Sequence, residues 1–172
     1  FRERYLGNLY LLRHAKAGWA APGVRDFDRP LDATGIADAA ATGVAMRACG
    51  YVPELTLCSN ARRARETLEG IASHADTGRV IFTDDLYVSD AAGYLDKIRE
   101  HGRYETLLVI GHNPMMEDLA MAVSGSGDEA ALHTLHTGFP TSGLAVIRFP
   151  GSLSEAQLGR GHLEAFLTPA DL

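Results

Sequence analysis

Arg13 and His14 stand where the apolar run Leu9, Tyr10, Leu11, Leu12 gives way to a loop. A second run, Thr106, Leu107, Leu108, Val109, Ile110, stops in the same manner on Gly111, His112, Asn113 and Pro114. A third closes on Ser59 and leads into Arg62, Arg63 and Arg65. An imidazole can act as nucleophile, as general acid or base, or as a hydrogen-bond donor. A guanidinium presents a planar fork that matches phosphate oxygens. Either histidine alone reads best as a satisfied polar residue at a strand end. Together with Arg13 and an arginine-bearing helix, the pair reads as a phosphate-binding active site.

Other candidates carry less. Arg62 and Arg65, three apart, share a helix face while Arg63 points elsewhere, and Glu66 and Glu69 can pair with some of them. Spacing does not choose the phosphate arginine. His133 and His136 are also three apart on an expected helix, but no Cys or carboxylate follows at ligand spacing, so they read as a solvated face. His74, His101 and His162 stand alone. Asp84 and Asp85 read as a solvated turn, although their place after a strand end and before Leu86 and Tyr87 also fits a pocket rim.

The elements that must position these groups are short β-rich runs alternating with Ala/Leu-rich stretches of helical length. Strands are expected near Leu9 to Arg13, Glu54 to Cys58, Arg79 to Phe82, Thr106 to Ile110, Leu144 to Phe149 and His162 to Phe166. Thr34 is expected to cap a first helix that ends at Gly50, Ser59 or Asn60 to open a second, and Asn113 with Pro114 to start another as N-cap and N1. The stretches Ser124 to Asp128 and Phe139 to Gly143 read as loops. The expected architecture is α/β, a single-domain three-layer α/β/α sandwich over residues 1–172 with a mainly parallel central sheet. In such a sheet ligands bind beyond the carboxyl ends of the strands. Two helix N-termini at that edge add a field that favours an anion.

A chain of 172 residues can bury about two-thirds of the surface its unfolded form exposes, without a metal or disulfide staple. Its formal charge of -6 opposes general binding to nucleic acid or anionic membranes, which needs a basic face. Any anion site must then be a local pocket. Cys49 and Cys58 form no metal motif and read as reduced core thiols. No stretch has the length to span a bilayer and no signal-peptide pattern opens the sequence, so the expected compartment is the cytoplasm.

Leu11, Leu12, Arg13, His14, Ala15 resembles the Arg-His-Gly signature of the histidine phosphatase, or phosphoglycerate mutase-like, superfamily. Ser59 to Thr67 is similar to its Ser-x-x-x-Arg-Ala-x-x-Thr motif, which singles out Arg63. Gly111, His112, Asn113, Pro114 resembles its second histidine motif. Asp28, Arg29, Pro30, Leu31 and Gly35 are similar to the Arg-Pro-Leu segment of SixA-type phosphohistidine phosphatases. Four motifs in family order span most of the chain. The resemblance implies a phosphoglycerate mutase-like fold. It also implies that His14 attacks phosphorus and is transiently phosphorylated, while Arg13, Arg63 and His112 hold the phosphoryl oxygens. The second ring nitrogen of His14 should then donate to a backbone carbonyl. Arg29, Ser59 and Asn113 are assigned to substrate binding, and no metal or cofactor is expected.

Two departures matter. Ala15 replaces the signature glycine, a methyl that should be tolerated beside the nucleophile. The stretch from Thr67 to Ile110 is too short for a lid domain, and none of its residues matches the carboxylic acid that protonates an alkoxide leaving group in many relatives. Asp84, Asp85, Ser89 and Asp90 are the nearest substitutes. An imidazole leaving from phosphohistidine can already carry its proton, so the expected substrate is a phosphohistidine on a phosphotransfer protein. The alternatives are a phosphatase for small phosphate esters and a non-catalytic phosphoprotein-binding module. A mutase, which needs a more closed site, and a metallophosphatase fit less well.

Overall fold

The computed structural model describes residues 5–172. Seven strands, β1 (Gly7–Arg13), β2 (Leu55–Ser59), β3 (Arg79–Thr83), β4 (Thr106–Gly111), β5 (Ser124–Gly127), β6 (Leu144–Phe149) and β7 (Gly161–Leu167), form one sheet in the order β3-β2-β4-β1-β6-β7-β5. The first four are mutually parallel, β6 runs antiparallel to both β1 and β7, and β5 lies parallel to β7 at the edge. Six helices cover the sheet: α1 (Ala33–Cys49), α2 (Arg62–Ala72), α3 (Asp85–Val88), α4 (Ala91–Glu100), α5 (Met115–Val123) and α6 (Glu129–His136).

The central strands carry continuous apolar runs, Leu9 to Leu12, Leu107 to Ile110 and Leu144 to Ile147, because both faces are covered. Leu9 and Leu11 of β1, Leu107 and Val109 of β4, and Ala145 and Ile147 of β6 pack with α4, α5 and α6. Their alternates, Tyr10, Leu12, Leu108, Ile110, Leu144 and Val146, pack with Met46 of α1 and Ala64, Leu68 and Ile71 of α2. Three layers follow from this period-two partition.

Several local expectations are corrected. Ser124–Gly127 is a strand, although Ser-Gly-Ser-Gly has little β propensity; its pairing with β7 decides its conformation. Asp32, not Thr34, caps α1 by accepting from the Gly35 amide at 2.8 Å. Gly50 ends that helix with a left-handed φ of 72°. Ala61 is the N-cap residue of α2, and Ser59 Oγ accepts from its amide. Pro114 follows a cis peptide bond and is itself the N-cap residue of α5, while Asn113 Oδ1 accepts from the Glu117 amide. Cys49 is exposed at the end of α1, whereas Cys58 is buried in the core. Among the described residues no helix is long and apolar enough to cross a membrane.

Candidate active site

Strand register brings the site together. Arg13 of β1 lies opposite Gly111 of β4, and Cys58 of β2 lies opposite Ile110. The residues that follow these positions, His14, His112 and Ser59, therefore emerge within one residue of the same level on the carboxyl edge of three adjacent strands. The backbone there is pinned. The His14 amide donates to Gly111 O at 3.0 Å, and the Ser142 amide donates to the carbonyls of both Arg13 and His14. Ser142 holds a left-handed φ of 60°, which a non-glycine residue adopts at some cost in strain. The Ala15 amide donates to Thr67 Oγ1, whose hydroxyl donates in turn to Arg63 O. That chain of bonds fixes α2 against the end of β1. The Ala15 methyl fits a small buried cluster with Leu31 and Ala39.

The His14 Nδ1–H donates to Ala15 O at 2.7 Å, so its lone pair is on Nε2. Arg63 Nε, 3.3 Å away, donates to that nitrogen. Helix α2 thus aims Arg63 inward, 8% exposed, while Arg65 is exposed and Arg62 pairs on the surface with Glu66. His112 lies with its ring 5.2 Å from that of His14. Ser59 Oγ accepts from the Ala61 amide, and among the described residues the acceptor for its fully buried hydroxyl proton is His112 Nε2, at 2.8 Å. The His112 proton is then on Nδ1, a buried atom with no protein partner.

Arg13, His14, Lys16, Arg29, Arg63, His112 and Asn113 are among the residues lining a cleft of about 300 Å³. Ser59 is not among them. It is fully buried behind His112, where it orients the ring rather than meeting a ligand. Arg13 is held by Nη1 donating to Phe139 O at 2.8 Å, while its buried Nε has no partner. Asn113 is tied at both ends of its amide, donating to the same carbonyl and accepting from Glu117. Arg29 donates through Nε and Nη2 to Gly18 O, at 3.0 and 2.9 Å.

Two further residues belong to this arrangement. Arg63 donates to the carbonyl and to Oδ2 of Asp26 at 2.7 and 3.1 Å, Arg29 reaches Oδ1 at 3.0 Å, and the Tyr87 hydroxyl donates to Oδ2 at 2.8 Å. Tyr87 also lies edge-on to His112. The i, i+3 spacing of Asp26 and Arg29 was the available signal for the first. Nothing in the sequence linked either residue to Arg63. Partial burial pushes the Asp26 carboxyl up, but the bonds from Tyr87, Arg29 and Arg63 and the Arg63 charge prevail and hold it down at about 2. It is an anion and not a proton donor. The acids considered from sequence are engaged elsewhere: Asp84 with Asn60, Asp85 with Lys97, and Asp90 as the cap of α4. Ser89 donates to the Asp85 carbonyl.

Burial lowers the His14 pKa to about 4, helped by the charges of Arg63, Arg13 and Arg29 and opposed by the bond to Ala15. His112 is lowered to about 3 by burial first and then by His14 and Arg63. Both rings are neutral at physiological pH. The folded pKa of His14 lies below the ordinary 6.5, so its contribution to stability is present above that value and is lost as pH falls through about 4. Ring-nitrogen NMR of His14 is expected to show the neutral Nδ1–H tautomer with a midpoint near 4. A midpoint near 6.5 would contradict the burial argument.

Among the described residues no three His, Cys, Asp or Glu side chains gather as a metal site. His133 and His136 are exposed on α6.

Comparisons with known proteins agree with this geometry. The profile of the histidine phosphatase superfamily (branch 1) matches residues 9–87. Protein Rv1276c of Mycobacterium tuberculosis is 35% identical over 161 residues, covering 92% of this chain and 99% of that one. The crystal structure of a candidate phosphohistidine phosphatase SixA from Agrobacterium tumefaciens is 36% identical, covers 96% of this chain and all of its own, and superposes with a TM-score of 0.81. A second candidate SixA, from Nakamurella multipartitia, is 31% identical over 95% of this chain and 96% of that one, with a TM-score of 0.80. Fold, motif order and these likenesses agree, and the chain belongs to the SixA-type group of the histidine phosphatase superfamily.

Proposed function

We propose that this phosphatase removes the phosphoryl group from a phosphohistidine carried by a protein, by way of a phosphorylated His14. The observation that carries the reading is the neutral Nε2 of His14, facing Arg63 in a cationic cleft that has no carboxyl group among its described lining residues, the nearby Asp26 being held as an anion. His14 Nε2 attacks phosphorus in line as the P–N bond to the substrate imidazole breaks. The departing ring takes that electron pair and leaves neutral if its other nitrogen is already protonated. An alkoxide would need an acid instead. After transfer, the Nδ1–H bond to Ala15 O supports the positive phosphoimidazolium of His14. Water then attacks phosphorus as the P–N bond to His14 breaks, the electron pair of that bond returns to Nε2, both protons of the water leave with the phosphate, and His14 is again neutral.

Arg13, Arg29, Arg63 and the Nδ1–H of His112 supply donors for the charge on the phosphoryl oxygens. The test is a comparison of kcat/KM between a histidine-phosphorylated protein and a panel of sugar and nucleotide phosphomonoesters. A preference of at least about tenfold for the phosphoprotein is expected, the equivalent of about 1.4 kcal/mol. A preference for monoesters would overturn the substrate assignment and leave a small-metabolite phosphatase.

A further inference from the structure

Trp19, the one tryptophan of the chain, is 96% exposed and lies two residues beyond Ala17, which lines the cleft. Its position is held from below. Gly18 accepts two bonds from the Arg29 guanidinium, and its own amide donates to Pro30 O. Arg29 is itself a wall of the cleft, so Trp19 is one residue removed from an atom that touches that wall. Two other large exposed apolar side chains adjoin, in sequence, residues tied to the site. Ile36, 60% exposed, follows Gly35, which packs on the Lys16 carbonyl. Val88, 73% exposed, follows Tyr87, whose ring meets His112. A fully exposed tryptophan leaves a large apolar surface in water, the kind of side chain that partner surfaces bury.

We infer that Trp19 is the recognition anchor for the protein that carries the phosphohistidine, gripping apolar surface beside the modified side chain. This rests on the substrate reading above and goes beyond it by naming the docking surface. A small phosphate ester seated in the cleft of about 300 Å³ would not need Trp19, which is not among the lining residues. A folded protein would reach it. Charge fits the same occupant. The cleft gathers Arg13, Lys16, Arg29 and Arg63 on a chain of net charge -6, so a phosphoryl group is drawn to this spot while the remaining acidic surface repels an acidic partner elsewhere. The matching surface is a dianionic phosphoryl group set in apolar, non-acidic surroundings. Tryptophan is the side chain most often found as the energetic centre of such contacts.

The probes are a histidine-containing phosphotransfer domain phosphorylated with phosphoramidate, and free phosphohistidine. Trp19→Ala is expected to lower kcat/KM on the phosphorylated domain by about tenfold or more, through KM, with turnover of free phosphohistidine unchanged. Trp19→Phe should recover most of the loss. Fluorescence of the wild type should shift when the phosphorylated domain is added, since Trp19 is the sole indole. Equal losses on both substrates would make Trp19 part of the site's own structure and overturn the inference. So would an unaltered kcat/KM on the phosphorylated domain. A wild-type enzyme that turns over neither phosphohistidine probe but cleaves monoesters would overturn the substrate reading itself, a result read without any variant.

Discussion

His14→Ala is expected to lower phosphate release from a phosphohistidine protein by roughly 10⁴-fold or more, the scale on which loss of a covalent nucleophile acts. The basis is local. Nε2 is the unprotonated nitrogen of a buried ring whose other nitrogen is bonded to Ala15 O. His112 is not placed to replace it, since its Nε2 faces the fully buried Ser59 and not the cleft. Phosphate binding should survive in part, because Arg13, Arg29, Arg63 and His112 still line the cleft. Calorimetric titration with inorganic phosphate and a turnover assay separate the two properties. Radiolabel transferred from the phosphoprotein should be found on His14 of the wild type after a quench that avoids acid. Turnover by the variant within tenfold of the wild type would refute the phosphoenzyme mechanism.

Arg63→Ala should cost about 10³-fold in kcat/KM, the scale of an arginine that neutralises a transferring phosphoryl group. Two effects combine. The variant loses the guanidinium beside His14 Nε2, and it strips Asp26 of its contacts to Nη1 and Nη2. Asp26 then remains as a carboxylate near the cleft with Arg29 and Tyr87 as partners, and its charge opposes the incoming phosphate. Adding Asp26→Asn to Arg63→Ala is therefore expected to recover part of the loss, whereas Asp26→Asn alone should reduce activity by loosening Arg63. A double-mutant cycle on kcat/KM reads this coupling. Additive losses would show that Asp26 does not act through Arg63. Arg63→Lys should not restore the wild type, because one ammonium cannot bond Asp26 and face His14 at once.

The α/β architecture and the buried strands were legible because period-two alternation and continuous apolar runs are local properties of the chain. The left-handed end of α1 at Gly50 was legible for the same reason. The phosphate arginine was not. Helical spacing separated Arg63 from Arg62 and Arg65 without saying which face meets the sheet, and the motif resemblance made the choice. Asp26 and Tyr87 went unseen because their contacts to Arg63 span 37 and 24 residues of chain, and no spacing rule reaches that far. Ser59 was placed at the right strand end but given a ligand to hold, when its hydroxyl is spent on His112. The edge strand Ser124–Gly127 was read as a loop because its conformation comes from a neighbour and not from its own residues.

By itself, the sequence determined which strand ends bear the two histidines, since each follows directly from an apolar run. The tertiary structure decided what the side chains at those ends do. Parallel register set Arg13 level with Gly111 and Cys58 level with Ile110, and burial with fixed backbone carbonyls then settled the tautomers. A tautomer, an ion pair and a neutral buried ring are properties of surroundings, and the surroundings exist once distant segments have met.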